Sequence, residues 1–391
     1  MKKILFVHHS SEIGGGSYCL LNLLKELDRD SYVPIVLLKS QGPLAEDISS
    51  LGVKVRFLPS LDAVPYNRSL LNPRTVQDYR RALVSLADFK EVLDDIRPDI
   101  VYLNNSMLYP YLKVGKGMGI KTVIHIREHW PSEEHRIQLR WFRKGISEYA
   151  DRIIAINGYS ASMVPGCEEK KAIVYDWIDF ADRNAYQDMN ELMNEDVSSK
   201  KIYLYTGGMQ SIKGACEVME TFTKVCGDDC RLLALGTYLP KFDGLRGRIK
   251  LLLKKFGYRV PSVRIYDAMI RDKRIVGVPA TYSIKSIIQQ SHCVLSYFTI
   301  PHANLVLAES IILKTPVIAV RTSESEEYSL NGELAVLIPF GDICAFEAAV
   351  KMADESIPSL KTKLDSRSFM IAEQFDRTTN AQVFNRVLSE L

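Results

Sequence analysis

Ile4-Leu5-Phe6-Val7-His8-His9-Ser10-Ser11-Glu12-Ile13-Gly14-Gly15-Gly16-Ser17 opens the chain after three residues, and YCLLNLLKEL follows at 18–27. Four apolar residues in a row suit a strand buried on both faces. The glycines suit a tight turn, and the leucine spacing after them suits a helix. A strand feeding a helix in this way is half of a βαβ crossover, which calls for a parallel second strand. The chain supplies it repeatedly. Apolar runs at 35–38, 53–58, 100–103, 122–126 and 153–156 read as strands, with helical patterns at 79–96 and 138–149. After a polar stretch at 182–200, strands resume at 202–205, 231–235, 294–297, 316–320 and 335–338. The expected fold class is α/β, with two doubly wound domains in tandem. The boundaries predicted are a first domain at 1–180, a linker at 181–200, a second domain at 201–364 and a closing helical segment at 365–391.

The 391 residues are too many for one ordinary core and suit two. A formal net charge of +3 does not point to nucleic acid as a partner. Seven cysteines without a CxxC pair read as reduced thiols, not as a disulfide framework or zinc site. The apolar run at 4–7 is too short for a signal peptide, and no run approaches the roughly 20 residues needed to span a bilayer. A cytoplasmic protein is expected. One segment, 239–273, breaks the βα rhythm. There Arg246, Arg248, Lys250, Lys254, Lys255 and Arg259 interleave with Leu251, Leu252, Leu253 and Phe256. It reads either as a solvated basic helix with an apolar stripe on the core, or as a surface for anionic lipid headgroups.

Four places carry side chains suited to chemistry. In the first βα turn, Gly15 and Gly16 let backbone amides approach an anion at a helix start, although no dinucleotide or GK[ST] fingerprint is present. His125-Ile126-Arg127-Glu128-His129-Trp130 closes a predicted strand, at the edge where open α/β sheets bind ligands. His125, Arg127 and Glu128 are therefore expected to face a crevice, with a structural, hydrogen-bonded His125 as the alternative. HIREH lacks zinc-protease spacing, so no metal is expected there. Gly207 and Gly208 end another strand, and Lys213 stands just before a helix. The positive helix end disfavours a cation unless an anion joins it, and a diphosphate is the anion expected. Finally, Glu309 is an ionisable group in an apolar helix, where either a ribose diol or a salt bridge would satisfy it.

In this order and spacing, the four places resemble the retaining glycosyltransferases of family 4. RPDIV at 97–101, ESIILKTPVIA at 309–319 and SESEEYSLNGELAVLIPFGD at 323–342 extend the resemblance over nearly the whole chain. It implies the GT-B architecture, two Rossmann-like domains facing across a cleft, with the acceptor side first and the donor side second. It also implies a nucleotide-sugar donor as substrate, no metal or other cofactor, and retention of configuration. His125, near the donor sugar, and Lys213, at the diphosphate, would be catalytic. Gly15, Gly16, Gly207, Gly208 and the amides of Asn304, Leu305 and Val306 would lie against the donor phosphates, and Glu309 would hold the ribose.

Two positions depart from the pattern: Gly208 stands where the family has Arg, and Pro301 where it has Glu. His302 and Glu128 are candidates to replace the sugar contacts, and either Arg127 or a residue of the basic insertion at 239–273 is a candidate to replace the missing charge. The departures raise a second expectation, a weakened subunit that binds nucleotide-sugar and supports a partner enzyme. The acceptor implied is a glycan or lipid-linked glycan in cell-surface polysaccharide biosynthesis. Together with Arg136, Arg140, Trp141, Arg143 and Lys144, this places the protein against an anionic membrane surface, on the inner face of the plasma membrane.

Overall fold

A computed structural model divides the chain into two units, Met1–Trp177 with Phe375–Leu391, and Ile178–Gln374. The structure describes all residues except 13, 67, 131–135, 179, 181–184, 243, 257, 259 and 282, and leaves out the side chains at 245, 246, 248, 251, 254 and 255.

The first unit holds seven strands: β1 (Lys2–Val7), β2 (Tyr32–Leu38), β3 (Lys54–Phe57), β4 (Ile100–Leu103), β5 (Lys121–Ile126), β6 (Arg152–Ala155) and β7 (Lys171–Ile173). They lie in the order β3-β2-β1-β4-β5-β6-β7, and every pair is parallel. The strand period of two sends Leu5 and Val7 to one face and Ile4 and Phe6 to the other. Leu5 and Val7 share a core with Phe89 and Leu93 of helix Pro73–Ile96 and with Leu139, Phe142 and Ile146 of helix Arg136–Tyr149. Ile4 and Phe6 meet Leu20 and Leu24 of helix Gly15–Glu26 and Phe384 of the last helix, Arg377–Ser389. Both faces are covered, which is why the strands read as unbroken apolar runs.

The last helix belongs to this first unit. Asp376 caps it by accepting from Thr379 N at 2.7 Å, Phe384 meets Tyr102 edge-on at 5.9 Å, and Asn385 Nδ2 donates to the Glu26 carbonyl at 2.8 Å. The closing segment was expected to start at 365, but that position falls inside helix Ala353–Gln374 of the second unit. Nothing in that helix's sequence stops it there, and the chain crosses back only at the Phe375-Asp376 cap. Of the expected linker, 181–184 lie outside the described residues. Beyond them Asp188 caps a short helix, Met189–Met193, whose two methionines are buried with Val197.

The second unit holds β8 (Lys201–Tyr205), β9 (Cys230–Leu235), β10 (Ile275–Val278), β11 (Cys293–Ser296), β12 (Val317–Val320) and β13 (Val336–Ile338). Their order is β10-β9-β8-β11-β12-β13, again all parallel. The 239–273 segment contributes two helices, Gly244–Lys255 and Pro261–Arg271. The second buries Val263 and Ile265 and ties down through Arg264, which ion-pairs with Glu217 and Glu220. In the first helix and just after it, Ile249, Leu252, Leu253 and Phe256 are exposed, so these side chains of the stripe cover no core, while the side chain of Leu251 lies outside the description. The side chains of Arg246, Arg248, Lys254 and Lys255, and the whole of Arg259, lie outside the description. Among the described residues no helix is long and apolar enough to cross a membrane.

Candidate functional site

In each sheet the chain changes direction once, between β1 and β4 and between β8 and β11. Loops leaving the carboxyl ends of strands diverge at such switch points and open a place for ligands. β1 delivers His8 and His9, and β4 delivers Asn104 and Asn105. Asn104 Nδ2 lies 3.1 Å from His8 Nδ1 and 3.3 Å from the Gly16 carbonyl. An amide NH2 only donates, so His8 Nδ1 accepts and its proton sits on Nε2, 3.3 Å from Ser17 Oγ. Ser17 Oγ in turn donates its hydrogen bond to the Glu12 carbonyl at 2.7 Å. Asn105 Nδ2 serves His9 Nδ1 in the same way at 2.6 Å. This network fastens the glycine-rich turn to the strand ends. A Cβ at Gly15 would meet nothing within 4 Å, so crowding by the protein does not require glycine there.

His125 stands near the end of β5 and is fully buried. Tyr102 OH lies 2.8 Å from its Nδ1, and Arg127 Nη2 lies 3.1 Å from the same atom. A guanidinium has no lone pair to offer, so Nδ1 accepts and the proton sits on Nε2. That Nε2 has no hydrogen-bond partner among the described residues. Burial first, and then the Arg127 charge, push the imidazole well below the usual histidine range. His125 is therefore a neutral ring offering one N–H.

Arg127 and Glu128 do not face an open crevice as expected. Arg127 is buried, ion-paired with Asp176, and donates through Nε to the Asn104 carbonyl at 3.0 Å. Glu128 is buried too and accepts from Ser106 N at 2.8 Å and from Ser106 Oγ. Trp130 Nε1 donates to the same Ser106 Oγ at 2.8 Å, while its indole stacks on Phe142 at 4.5 Å. Buried charges must find partners, and these two find them inside the unit. Arg127 thus orients His125 and is not free to supply the charge that Gly208 lacks.

In the second unit, Gly207 and Gly208 leave β8, and Ser211–Lys213 make one 3₁₀ turn before helix Ala215–Val225. Gly214 joins the two at φ 73°, where a Cβ would strike the Tyr297 carbonyl just after β11. Thr299 N donates to the Ile212 carbonyl at 2.9 Å, and Thr299 Oγ1 to the Ser211 carbonyl at 3.1 Å. The Lys213 turn and the 299–304 loop are therefore bound side by side at the switch point. Burial lowers the Lys213 ammonium from its usual value, and among the described residues it has no ion-pair partner. Asn304 starts helix Leu305–Ile312, donating through Nδ2 to Ser296 Oγ at 2.9 Å, while its buried Oδ1 has no hydrogen-bond partner among the described residues. Leu305 and Val306 hold the first amides of that helix, and Glu309 is buried one turn on. His302 packs its ring against Phe298 at 5.5 Å.

Gly208 has a structural reason. Its φ is 61°, and a Cβ there would come within 3.2 Å of the Gly236 carbonyl. We expect Gly208→Arg to cost about 1–2 kcal/mol from the left-handed backbone alone. The melting temperature should fall by about 2–4 °C per kcal/mol. An unchanged melting temperature would contradict this reading of the turn.

Sequence reasoning missed His8, His9, Asn104, Asn105 and Asp176. The first four had a signal, two polar pairs at the ends of the strands that flank the switch point. Asp176 had none, since only the fold brings it to Arg127. Among the described residues, no three His, Cys, Asp or Glu side chains gather as a metal site would.

Residues 14–163 match the family described as the glycosyl transferase 4-like domain. No curated protein matches the chain. Among solved structures, the chain is similar to Anabaena HepE in complex with UDP-glucose, with a TM-score of 0.76, 18% identity and all of both chains covered. It is similar to a trehalose-6-phosphate protein from E. coli bound with UDP-2-fluoro glucose, with a TM-score of 0.69 and 12% identity over 100% of this chain and 99% of that one. It is also similar to the lipopolysaccharide outer core galactosyltransferase WaaB in its apo form, with a TM-score of 0.60, 15% identity and full coverage of both. At these identities the likeness is one of fold, and that fold is GT-B.

Proposed function

We propose that this chain, a GT-B glycosyltransferase with a family 4-like N-terminal domain, moves a sugar from a uridine diphosphate donor to a glycan or lipid-linked glycan with retention of configuration. The observation that carries this reading is Lys213, a partly buried ammonium with no carboxylate partner among the described residues, in a turn bonded to Thr299 of the loop that leads into helix Leu305–Ile312. A diphosphate would supply the missing counter-charge, and the amides at 305 and 306 would supply donors. The neighbours with UDP-sugars support uridine as the base. Glu309 would hold the ribose.

In this reading the leaving diphosphate departs from the face that the acceptor enters. Lys213 and the helix end meet the charge that grows on it. His125 offers its Nε2 proton to a donor-sugar hydroxyl, and Arg127 and Asp176 keep that proton on Nε2. Gly15 and Gly16 leave the first turn bare for the acceptor side. The lipopolysaccharide outer core galactosyltransferase among the neighbours supports a cell-surface glycan as the product, which would be built at the inner face of the plasma membrane.

The departure at Pro301 favours a second reading, a subunit that binds donor and supports a partner enzyme. A panel of UDP-, GDP- and ADP-sugars separates the two, read by thermal shift and by release of nucleoside diphosphate. We expect stabilisation and turnover with UDP-sugars. Stabilisation without turnover would favour the second reading, and neither effect would overturn both.

A further inference from the structure

Helix Arg136–Tyr149 buries Leu139, Phe142 and Ile146 and turns a different chemistry outward. Arg136, Arg140, Arg143 and Lys144 line an open cavity of about 420 Å³, together with Ser147 and Pro165. At 3.6 residues per turn, these four cations fall within an arc of about 100°. Arg143 is fixed by donating through Nε to the Met163 carbonyl at 2.8 Å. Among the described residues none of the four has an ion-pair partner. Glu133 and Glu134 lie outside the described residues.

Arg136 and Arg140, like Arg140 and Lys144, are like-charge pairs at i,i+4, which destabilise a helix. Arg136 also stands at the positive helix end, which disfavours it further. An anion with several oxygens removes both costs. Beside the cavity, Ile137 is 58% and Trp141 45% exposed. Trp141 meets Tyr79 edge-on at 5.8 Å, and Tyr79's helix exposes Val76 and Leu83. A dissolved phosphate would use the cations and have no use for this apolar flank. A bilayer surface uses both, with phosphates at the cations and the aromatic and aliphatic side chains at the acyl boundary.

We propose that this cavity and its flank dock the chain on anionic lipid headgroups, with the Arg136, Arg140, Arg143 and Lys144 cluster taking the phosphates. The proposal deepens the acceptor reading above and rests on it only for its purpose, which is to bring the chain to a lipid-linked substrate. The test sediments the full chain with phosphatidylcholine vesicles, with and without phosphatidylglycerol. Binding is expected only to the anionic vesicles and should fade as salt is raised. Removing a cation should weaken it about fivefold, so R140A with K144A should weaken it about 25-fold. W141A should weaken it several-fold while leaving the melting temperature unchanged.

Equal binding to neutral vesicles would overturn the proposal, as would wild-type binding by R140A/K144A. So would displacement from vesicles by millimolar inorganic pyrophosphate with no effect of W141A, which would make the cavity a site for a dissolved anion. The thermal shift with UDP-glucose is measured on the same proteins. A wild-type chain that shows the shift but does not bind the anionic vesicles sinks this proposal alone, and a wild-type chain that binds them but shows no shift sinks the functional reading alone.

Discussion

Lys213→Ala is expected to slow turnover of a UDP-sugar by about 10²–10³-fold, equal to about 3–4 kcal/mol of transition-state stabilisation. The physical reason lies in where Lys213 sits. Its ammonium is drawn partly out of water, no carboxylate among the described residues neutralises it, and the next helix begins two residues later with its positive end. Charge on the diphosphate grows as the sugar leaves, so the ammonium is worth more in the transition state than in the bound donor. The rate should therefore fall further than the donor affinity. Lys213→Arg keeps the charge and should recover part of the rate. Wild-type turnover by Lys213→Ala, with the melting temperature held, would remove Lys213 from the mechanism.

Acid should unfold the N-terminal unit through its histidines. Burial pushes His8 and His125 well below the usual range, with His9 and Arg127 adding to the effect on His8 and Arg127 to that on His125. Burial and then Lys39 bring His9 down to about 4. In the unfolded chain each imidazole takes a proton near pH 6.5. Between pH 6.5 and 4 the unfolded chain thus binds more protons than the native one, and stability falls as pH falls through that window. Above pH 6.5 the contribution is flat. The three together remove up to about 4 kcal/mol per pH unit, at 1.36 kcal/mol for each group. Glu128 runs the other way, because burial raises its carboxyl, but it is one group against three. The melting temperature should hold from pH 8 to 7 and then drop steeply toward pH 5. A flat profile over that range would contradict the buried, neutral network at β1 and β4.

The fold was legible because parallel strands buried on both faces leave unbroken apolar runs, as Ile4–Val7 and Ile100–Leu103 do. The two strands missed are edge strands. β7 has three residues and is only partly buried. β10 reads Ile-Val-Gly-Val directly after the basic segment, and its glycine is needed because a Cβ there would lie 2.7 Å from the Thr237 carbonyl. Lys213 stands before a helix as its sequence predicts, in the turn Ser211–Lys213 ahead of Ala215–Val225, because the Gly-rich strand end and the helix pattern that follows bracket it. The same rule misjudged Arg127 and Glu128. It sets where a strand ends, while Asp176 and Ser106, distant in sequence, decide where those charges point. The stripe that includes Leu252, Leu253 and Phe256 kept two readings open for a related reason, since periodicity shows that a stripe exists and not whether a core awaits it; these three side chains are exposed.

The most direct test of the central claim needs no acceptor. UDP-α-glucose is incubated with the protein, and ¹H NMR follows the glucose first released to water, before mutarotation scrambles it. The account predicts release of UDP together with α-glucose. β-Glucose as the first product would contradict transfer with retention at this site.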